Sequence, residues 1–210
     1  MQTHRSTVIS GRYALEAELG RSATGMAWRA EDRLLRRTVT VKLIHPSLGD
    51  DPAFAERLGD EVRRIASLAA PGVAGLLDSG EEDGITYLVR EHVEGESARA
   101  ILDRSGPLAP EEATRIAIAV LDALAPAHDA GILHLHLDLD DVLLTPDGRV
   151  RVTDLGIGPA VTTTRSAAEA ARLLGGDALA PEQATTSTLD VRTDVYAVGV
   201  LLFELLTGAP

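Results

Sequence analysis

The chain contains no cysteine and few aromatic side chains: one Trp, three Tyr and two Phe in 210 residues. Without cysteine, neither a disulfide framework nor a thiolate metal site can form. With aromatics at 3%, the core has to be assembled largely from Ala, Val, Leu and Ile. Positive charge is also scarce. Twenty Lys and Arg stand against 32 Asp and Glu, a net charge of −12, which repels phosphate backbones and argues against nucleic acid as a partner. Long hydrophobic runs are missing too. The most apolar stretch, VYAVGVLLFELL, is short and carries Glu204, so it reads as a buried helix rather than a membrane span. The N-terminus lacks the apolar core of a signal peptide, and the expected setting is a reducing cytoplasm. What remains is ordinary: 45% hydrophobic and 25% charged residues, enough chain for one core or for two small lobes sharing a cleft.

The first third alternates in the manner of strands. Tyr13–Leu19, Met26–Ala30, Thr38–His45, Val73–Leu77 and Ile85–Glu91 are short β-type runs, the last two joined by SGEEDG. They predict a five-stranded antiparallel sheet. One helix interrupts it between Pro52 and Ala70, with Phe54, Leu58, Val62, Ile65 and Leu68 on a single face. The remainder is mostly helical. Pro110-Glu111-Glu112 opens a helix that runs to about Ala130, and Pro126, which has no N–H for the Asp122 carbonyl, should kink it. Val142–Leu144 and Val150–Val152 form a hairpin about Thr145-Pro146-Asp147-Gly148. Thr162–Ala170 reads as a small, polar, mobile segment, and Arg192–Thr207 as an apolar helix. The composition shift at Gly95–Pro107 divides the chain into residues 1–94 and 95–210.

Several motifs follow one another in a telling order: LGRSATGMAWRA, VTVK, Glu61 within GDEVRR, YLVREHVEG, GILHLHLDLDDVLL, VTDLG, LAPEQA and DVRTDVYAVGVLLFELLTG. Together they resemble the Gly-rich loop, strand lysine, helix glutamate, hinge, catalytic loop, DFG, APE and buried C-lobe helix of protein kinases, closest to bacterial Ser/Thr kinases. The resemblance covers nearly the whole chain. It implies an α+β, two-lobed fold, with a small β-rich N-lobe and a mostly helical C-lobe lacking its last helices. It also implies ATP and Mg²⁺ as cofactors. On this resemblance the nucleotide site comprises Gly20, Ser22, Gly25, Ala27, Thr40, Lys42, Glu61, Arg90, Glu91 and Val93, and the metal positions are Asp141 and Asp154.

The catalytic-loop register is set by spacing. The family pattern H-R-D-L-K-P-x-N places its catalytic Asp about 18 residues before the DFG Asp, and His136 precedes Asp154 by that interval. His134 is then the motif His, Leu135 replaces Arg, His136 replaces the catalytic Asp, Asp138 replaces Lys and Asp141 replaces Asn. Reading His136-Leu137-Asp138 as H-R-D instead keeps an Asp but leaves Leu143 at the Asn position. The first register implies lost phosphotransfer: a bulky imidazole stands at the proton acceptor and a negative charge where a positive one should meet the γ-phosphate. Ser22 stiffens the Gly-rich loop, and Arg90, a buried cation just before the hinge, should seek Glu61 or Asp154 and weaken ATP binding.

Other positions carry the fold. His134, Ile65 and Leu155 are stacking residues, Asp194 ties down the catalytic loop, and Lys42 with Glu61 reads as a structural ion pair. A metal cluster of His134, His136, Asp138 and Asp140 is disfavoured, because extended spacing of ~6.6 Å spreads the ligands too far for one ion. With the C-lobe ending at Pro210, Leu201, Leu202, Phe203 and Leu205 should be partly exposed. The expected output is binding of a protein partner. One candidate is a phosphothreonine-binding domain reading Thr162–Thr164, a small-residue segment that another kinase could reach; separately, LGGDALAPE lacks the usual Thr and Leu135 removes the phosphate-receiving Arg. The rival readings are an active or weak Ser/Thr kinase, a nucleotide-binding switch and a decayed fragment.

Overall fold

A computed structural model describes residues 7–174, 179–184 and 189–209. The chain begins with strands β1 (Val8–Ile9), β2 (Tyr13–Ser22), β3 (Gly25–Asp32) and β4 (Arg37–Ile44). Helices α1 (Pro46–Gly49) and α2 (Pro52–Ala66) follow, then β5 (Leu76–Glu82) and β6 (Ile85–Glu91). These strands form one antiparallel sheet of order β1-β2-β3-β4-β6-β5. It has six strands rather than the expected five, because Val8–Ile9 adds an edge. The fifth run also moves. Val73 bridges to Val152 instead, and the strand starts at Leu76 and continues through Ser79-Gly80-Glu81-Glu82. The turn needs only Asp83 and Gly84, both with positive φ, as two-residue hairpin turns of that type require.

Helix α2 ends at Ala66, four residues earlier than the periodicity suggests, with Ser67 as its cap. Its start is fixed by Asp51, whose side chain accepts from the Ala53 amide, and by Pro52 in the first turn. Phe54, Leu58, Val62 and Ile65 are buried and join a core that continues into the helical part. A smaller cluster holds the far face of the sheet: Ile9, Tyr13, Leu15, Ala30, Val39, Val41, Tyr87 and Val89, with the Tyr13 and Tyr87 rings edge-on at 6.2 Å.

Beyond the hinge stretch lie β7 (Glu96–Ser97), α3 (Ala98–Ser105), α4 (Pro110–Asp129), β8 (Val142–Leu144), β9 (Val150–Val152), α5 (Ile157–Thr164) and α6 (Ala167–Leu174). A short 3₁₀ turn, Pro181–Ala184, and α7 (Val191–Thr207) complete the described elements. The short sheet β7-β8-β9 carries the hairpin read from the sequence. Pro126 sits within the last turn of α4, which continues to Asp129.

The segment expected to be mobile is helical. Ile157, Ala160 and Val161 are fully buried, and α5 packs against α2. Thr162 Oγ1 bonds back to the Gly158 carbonyl at 3.1 Å, and Ser166 and Glu169 cap the start of α6 reciprocally. Apolar burial outweighs the weak helix preference of the Thr run. The Gly175–Ala178 part of LGGDALAPE lies outside the described residues. On α7, Leu201 and Leu205 are buried against the rest of the core, contrary to expectation, and Leu202 is half-buried. The exposed apolar residues are Val191, Val195, Tyr196, Phe203 and Leu206. Among the described residues, no helix is long and apolar enough to cross a membrane.

Asp32 is a pivot of the sheet. It is fully buried and accepts from Arg12 Nε at 2.7 Å and Arg12 Nη2 at 2.8 Å, and from the amides of Leu34 and Leu35. The Arg12 guanidinium holds the Asp32 carboxyl far below the ordinary carboxylate range. A depressed folded-state pKa stabilises above the unfolded value and loses that stability as pH falls through the folded one. Asp32→Asn is therefore expected to cost about 2 kcal/mol at neutral pH. In urea unfolding, its gap to wild type should begin to close only below the ordinary carboxylate range. A gap independent of pH would contradict this assignment.

Candidate functional site

A cavity of about 440 Å³ opens between the large sheet and the helical part. That lies within the range of small-molecule sites. Its roof comes from β2 and β3: Gly20, Ser22, Gly25 and Ala27 line it, and Ser22 Oγ and Thr24 Oγ1 hydrogen-bond at 3.0 Å across the turn. Its back wall is Thr40, Lys42 and Arg90, neighbours across the β4–β6 pairing. Val93 lines it at the hinge, and Asp141, Thr153 and Asp154 at the floor. Of the nucleotide-site residues expected from the resemblance, Glu61 and Glu91 are absent from the lining. Glu91 turns outward to Arg151, 2.6 Å away. His92, Leu143 and Ala100 line the cavity although sequence reasoning omitted them. His92 was detectable from its place two residues after Arg90, just past the end of β6, and its Nδ1 meets Thr40 Oγ1 at 3.0 Å.

The charges at the back are arranged about Asp154. Lys42 Nζ donates to Asp154 Oδ2 rather than pairing with Glu61. Arg90 Nε stands 3.2 Å from Asp154 Oδ1. Its N–H does not point along that line, so the contact is a charge pairing rather than a hydrogen bond. All three side chains are under a tenth exposed. Burial alone would raise the Asp154 carboxyl; the Lys42 and Arg90 charges outweigh it and hold the group well below its ordinary value. Glu61 is buried on α2 but bonds Arg64 at 3.0 Å and pairs with Arg57 at 3.5 Å. The expected Lys42–Glu61 pair is thus not formed. The N-cap of α5 lies against α2 here: a side chain at Gly156 would stand 3.4 Å from Glu61 Cβ and 3.0 Å from Ile65 Cδ1. Gly156 also has φ 101°, a conformation that favours glycine.

The residues between His134 and Asp141 form a loop held from below. Asp194 of α7 accepts the amides of His134 and Leu135, each at 2.8 Å, and pairs with His128 Nε2 at 2.8 Å. His134 is fully buried, with Nε2 on the Thr153 carbonyl at 2.8 Å. Leu135 and Asp154 both have φ 62°, an uncommon conformation for non-glycine residues. A side chain at Gly158 would collide with the His134 carbonyl at 2.2 Å, so α5 approaches this loop closely.

His136 and Asp138 do not line the large cavity. They border a separate recess of about 20 Å³ with Leu179, Gln183 and Thr193. His136 Nε2 lies 2.7 Å from the Leu174 carbonyl, and burial lowers the imidazole pKa. Asp138 Oδ1 accepts the amides of Asp140 and Asp141 at 2.8 and 3.2 Å. Burial, then the charges of Asp138 and Asp154, pushes the Asp141 carboxyl well up. The acidic and imidazole groups that do converge are His136, Asp138 and Asp141. His134 and Asp140 are not part of that convergence, since Asp140 reaches Ser97 and His134 reaches Thr153.

A nucleotide-bound Mg²⁺ needs open carboxylate oxygens. In this arrangement each oxygen of Asp154 faces a protein cation. Lys42 and Arg90 therefore compete with such an ion for Asp154 here, while the cavity volume admits a nucleotide-sized ligand.

Comparison with known proteins gives a consistent picture. Residues 13–210 match the family model described as the protein kinase domain. A probable serine/threonine-protein kinase PknB of Corynebacterium glutamicum is 36% identical over 209 residues, covering 97% of this chain and 32% of that protein. Serine/threonine-protein kinase PrkC of Bacillus subtilis is 36% identical over 200 residues, covering 95% and 31%. The chain therefore spans about a third of the length of these relatives. Among solved structures, the Mycobacterium tuberculosis PknI kinase domain superposes with a TM-score of 0.80 at 27% identity, covering all of this chain and 77% of that one.

Proposed function

The chain belongs to the protein kinase family, and from that premise we propose a kinase-fold domain that does not itself transfer phosphate and acts by binding another protein. One observation carries this reading. The side chain at the proton-acceptor position, His136, is turned away from the large cavity, its Nε2 committed to the Leu174 carbonyl. Asp138 at the lysine position and the two cations on Asp154 support it further.

The second reading is an active Ser/Thr kinase using ATP and Mg²⁺. The names of the relatives favour it, since those proteins are called serine/threonine-protein kinases. A phosphotransfer assay of pure protein with Mg-ATP, with Lys42→Ala as its blank, decides between the two.

The partner proposed is a protein, and a phosphothreonine-binding domain reading the Thr162–Thr164 segment is one form of it. The net charge of −12 fits a protein ligand better than nucleic acid.

Nucleotide binding is separable from catalysis. Arg90→Met removes the cation beside Asp154 and leaves Lys42 as its partner. It is expected to tighten ATP binding in the presence of Mg²⁺ by about tenfold or more, ~1.4 kcal/mol, read by calorimetry. If wild type already binds Mg-ATP tightly and Arg90→Met changes nothing, Arg90 does not guard the site.

A further inference from the structure

The loop that departs most from the kinase pattern gathers a donor set of which the nucleotide reading uses only Asp141. Ligand atoms of His136, Asp138 and Asp141 all lie within 4.8 Å of one another, the first and last buried and Asp138 half-buried. A carbonyl oxygen can only accept, so the 2.7 Å contact with Leu174 fixes the ring proton of His136 on Nε2. Nδ1 is then the unprotonated ring nitrogen. It faces Asp141 Oδ2 at 3.8 Å, with the two side chains only 6% and 4% exposed.

Asp141 Oδ2 also accepts the Asp138 amide at 3.3 Å, and at 3.8 Å it makes no hydrogen bond with Nδ1. Two ligands on one tetrahedral ion, with bonds of ~2.1 Å, stand ~3.4 Å apart, so an ion closes this gap after a shift of a few tenths of an ångström. Asp138 keeps one oxygen on the Asp140 and Asp141 amides, which anchors the carboxylate and leaves the other oxygen to turn inward. An imidazole held at its far nitrogen by a backbone carbonyl is the usual outer support of a metal-bound histidine.

We propose that His136, Asp138 and Asp141 form a binding site for a zinc-type divalent ion, independent of nucleotide. The imidazole nitrogen selects Zn²⁺ over Mg²⁺, which prefers oxygen donors. Three protein ligands leave a fourth position for water or for a side chain of a partner. Through the His136–Leu174 bond, the ion ties the loop to the end of α6. The site differs from the Asp141–Asp154 pair that the kinase resemblance implies, and no ligand of the trio is required to touch ATP. It therefore stands or falls separately from the proposed function.

The test is titration of chelator-treated full chain with ZnCl₂ in the absence of nucleotide, by calorimetry and by thermal unfolding. The expected result is one equivalent bound and a melting temperature that rises with zinc concentration. Asp138→Asn keeps the oxygen that caps the loop but removes ligand charge, and should weaken zinc binding at least tenfold with little change in the metal-free melting temperature. His136→Ala should abolish binding. Because that variant also loses the Leu174 bond, Asp138→Asn and the visible spectrum of the Co²⁺-loaded wild type keep the proposal testable if it fails to fold. His45→Ala, a control at an exposed histidine, should bind as wild type does. Absence of zinc binding, zinc binding unchanged in Asp138→Asn, or an equal response to MgCl₂ alone would each overturn the proposal.

Discussion

Pure protein incubated with Mg-ATP and a general protein substrate is expected to incorporate no phosphate above its Lys42→Ala blank. A positioned general base supplies roughly 10²–10⁴ in rate, and His136 cannot serve as one while its protonated nitrogen is held by Leu174 and its free nitrogen faces Asp141. The charge at Asp138 adds to the loss. Two unit charges ~4 Å apart interact by roughly 4 kcal/mol at an effective dielectric of 20, so replacing an attractive lysine with a repulsive carboxylate costs about three decades or more. These effects are not additive, and a deficit of at least ~10² follows from the lost base alone. Robust incorporation that depends on Lys42 would establish the active-kinase reading instead.

The paired substitution His136→Asp with Asp138→Lys sharpens the result. It restores the two groups on the loop but leaves Arg90 and Lys42 on Asp154. Activity that appears only when Arg90→Met is added places the remaining block at the metal position. Activity in the double variant alone places it on the loop.

The sequence made the loop readable because its anchors are fixed in spacing. His134, Asp154 and Asp194 occupy the positions the motif order assigns, and all three meet the same loop or its floor. The partner of Lys42 was not readable in the same way. Whether Lys42 meets Glu61 or Asp154 is set by tertiary packing around α2, and the α5 that packs there places Ile157, Ala160 and Val161 in a stretch whose apolar spacing is too short to show a period. The Thr run after it masked the helix, since local preference there opposes tertiary burial. The same limit explains Leu201 and Leu205: a helix apolar on nearly every side gives no period to tell its buried face from its exposed one. The convergence of Asp141 with His136 was hidden because the loop turns at Asp138, whose carboxylate caps the amides two and three residues ahead.

Asp194→Ala is expected to cause the largest loss of stability of any single change at the site. Its carboxylate is 1% exposed and accepts two backbone amides and pairs with His128. Those amides belong to His134 and Leu135, and Leu135 holds a φ of 62° that costs energy unless its surroundings fix it. Each buried donor left without a partner costs roughly 1–3 kcal/mol, so the alanine variant should lose about 3–5 kcal/mol. Domains of this kind have only about 5–15 kcal/mol in total. Asp194→Asn retains one acceptor oxygen and should lose about half as much. The pH dependence has a definite sign. Burial pushes the Asp194 carboxyl up, but the bonds from His128 and the two amides and the charge of His134 outweigh it and leave the pKa lowered. The stabilisation is present above the unfolded carboxylate range and fades as pH falls through the folded value. Urea unfolding at neutral and acidic pH reads both effects. A loss below about 1 kcal/mol in Asp194→Ala would mean that the Thr153 and Gln183 contacts, through the His134 ring and the Leu135 carbonyl, hold the loop without Asp194.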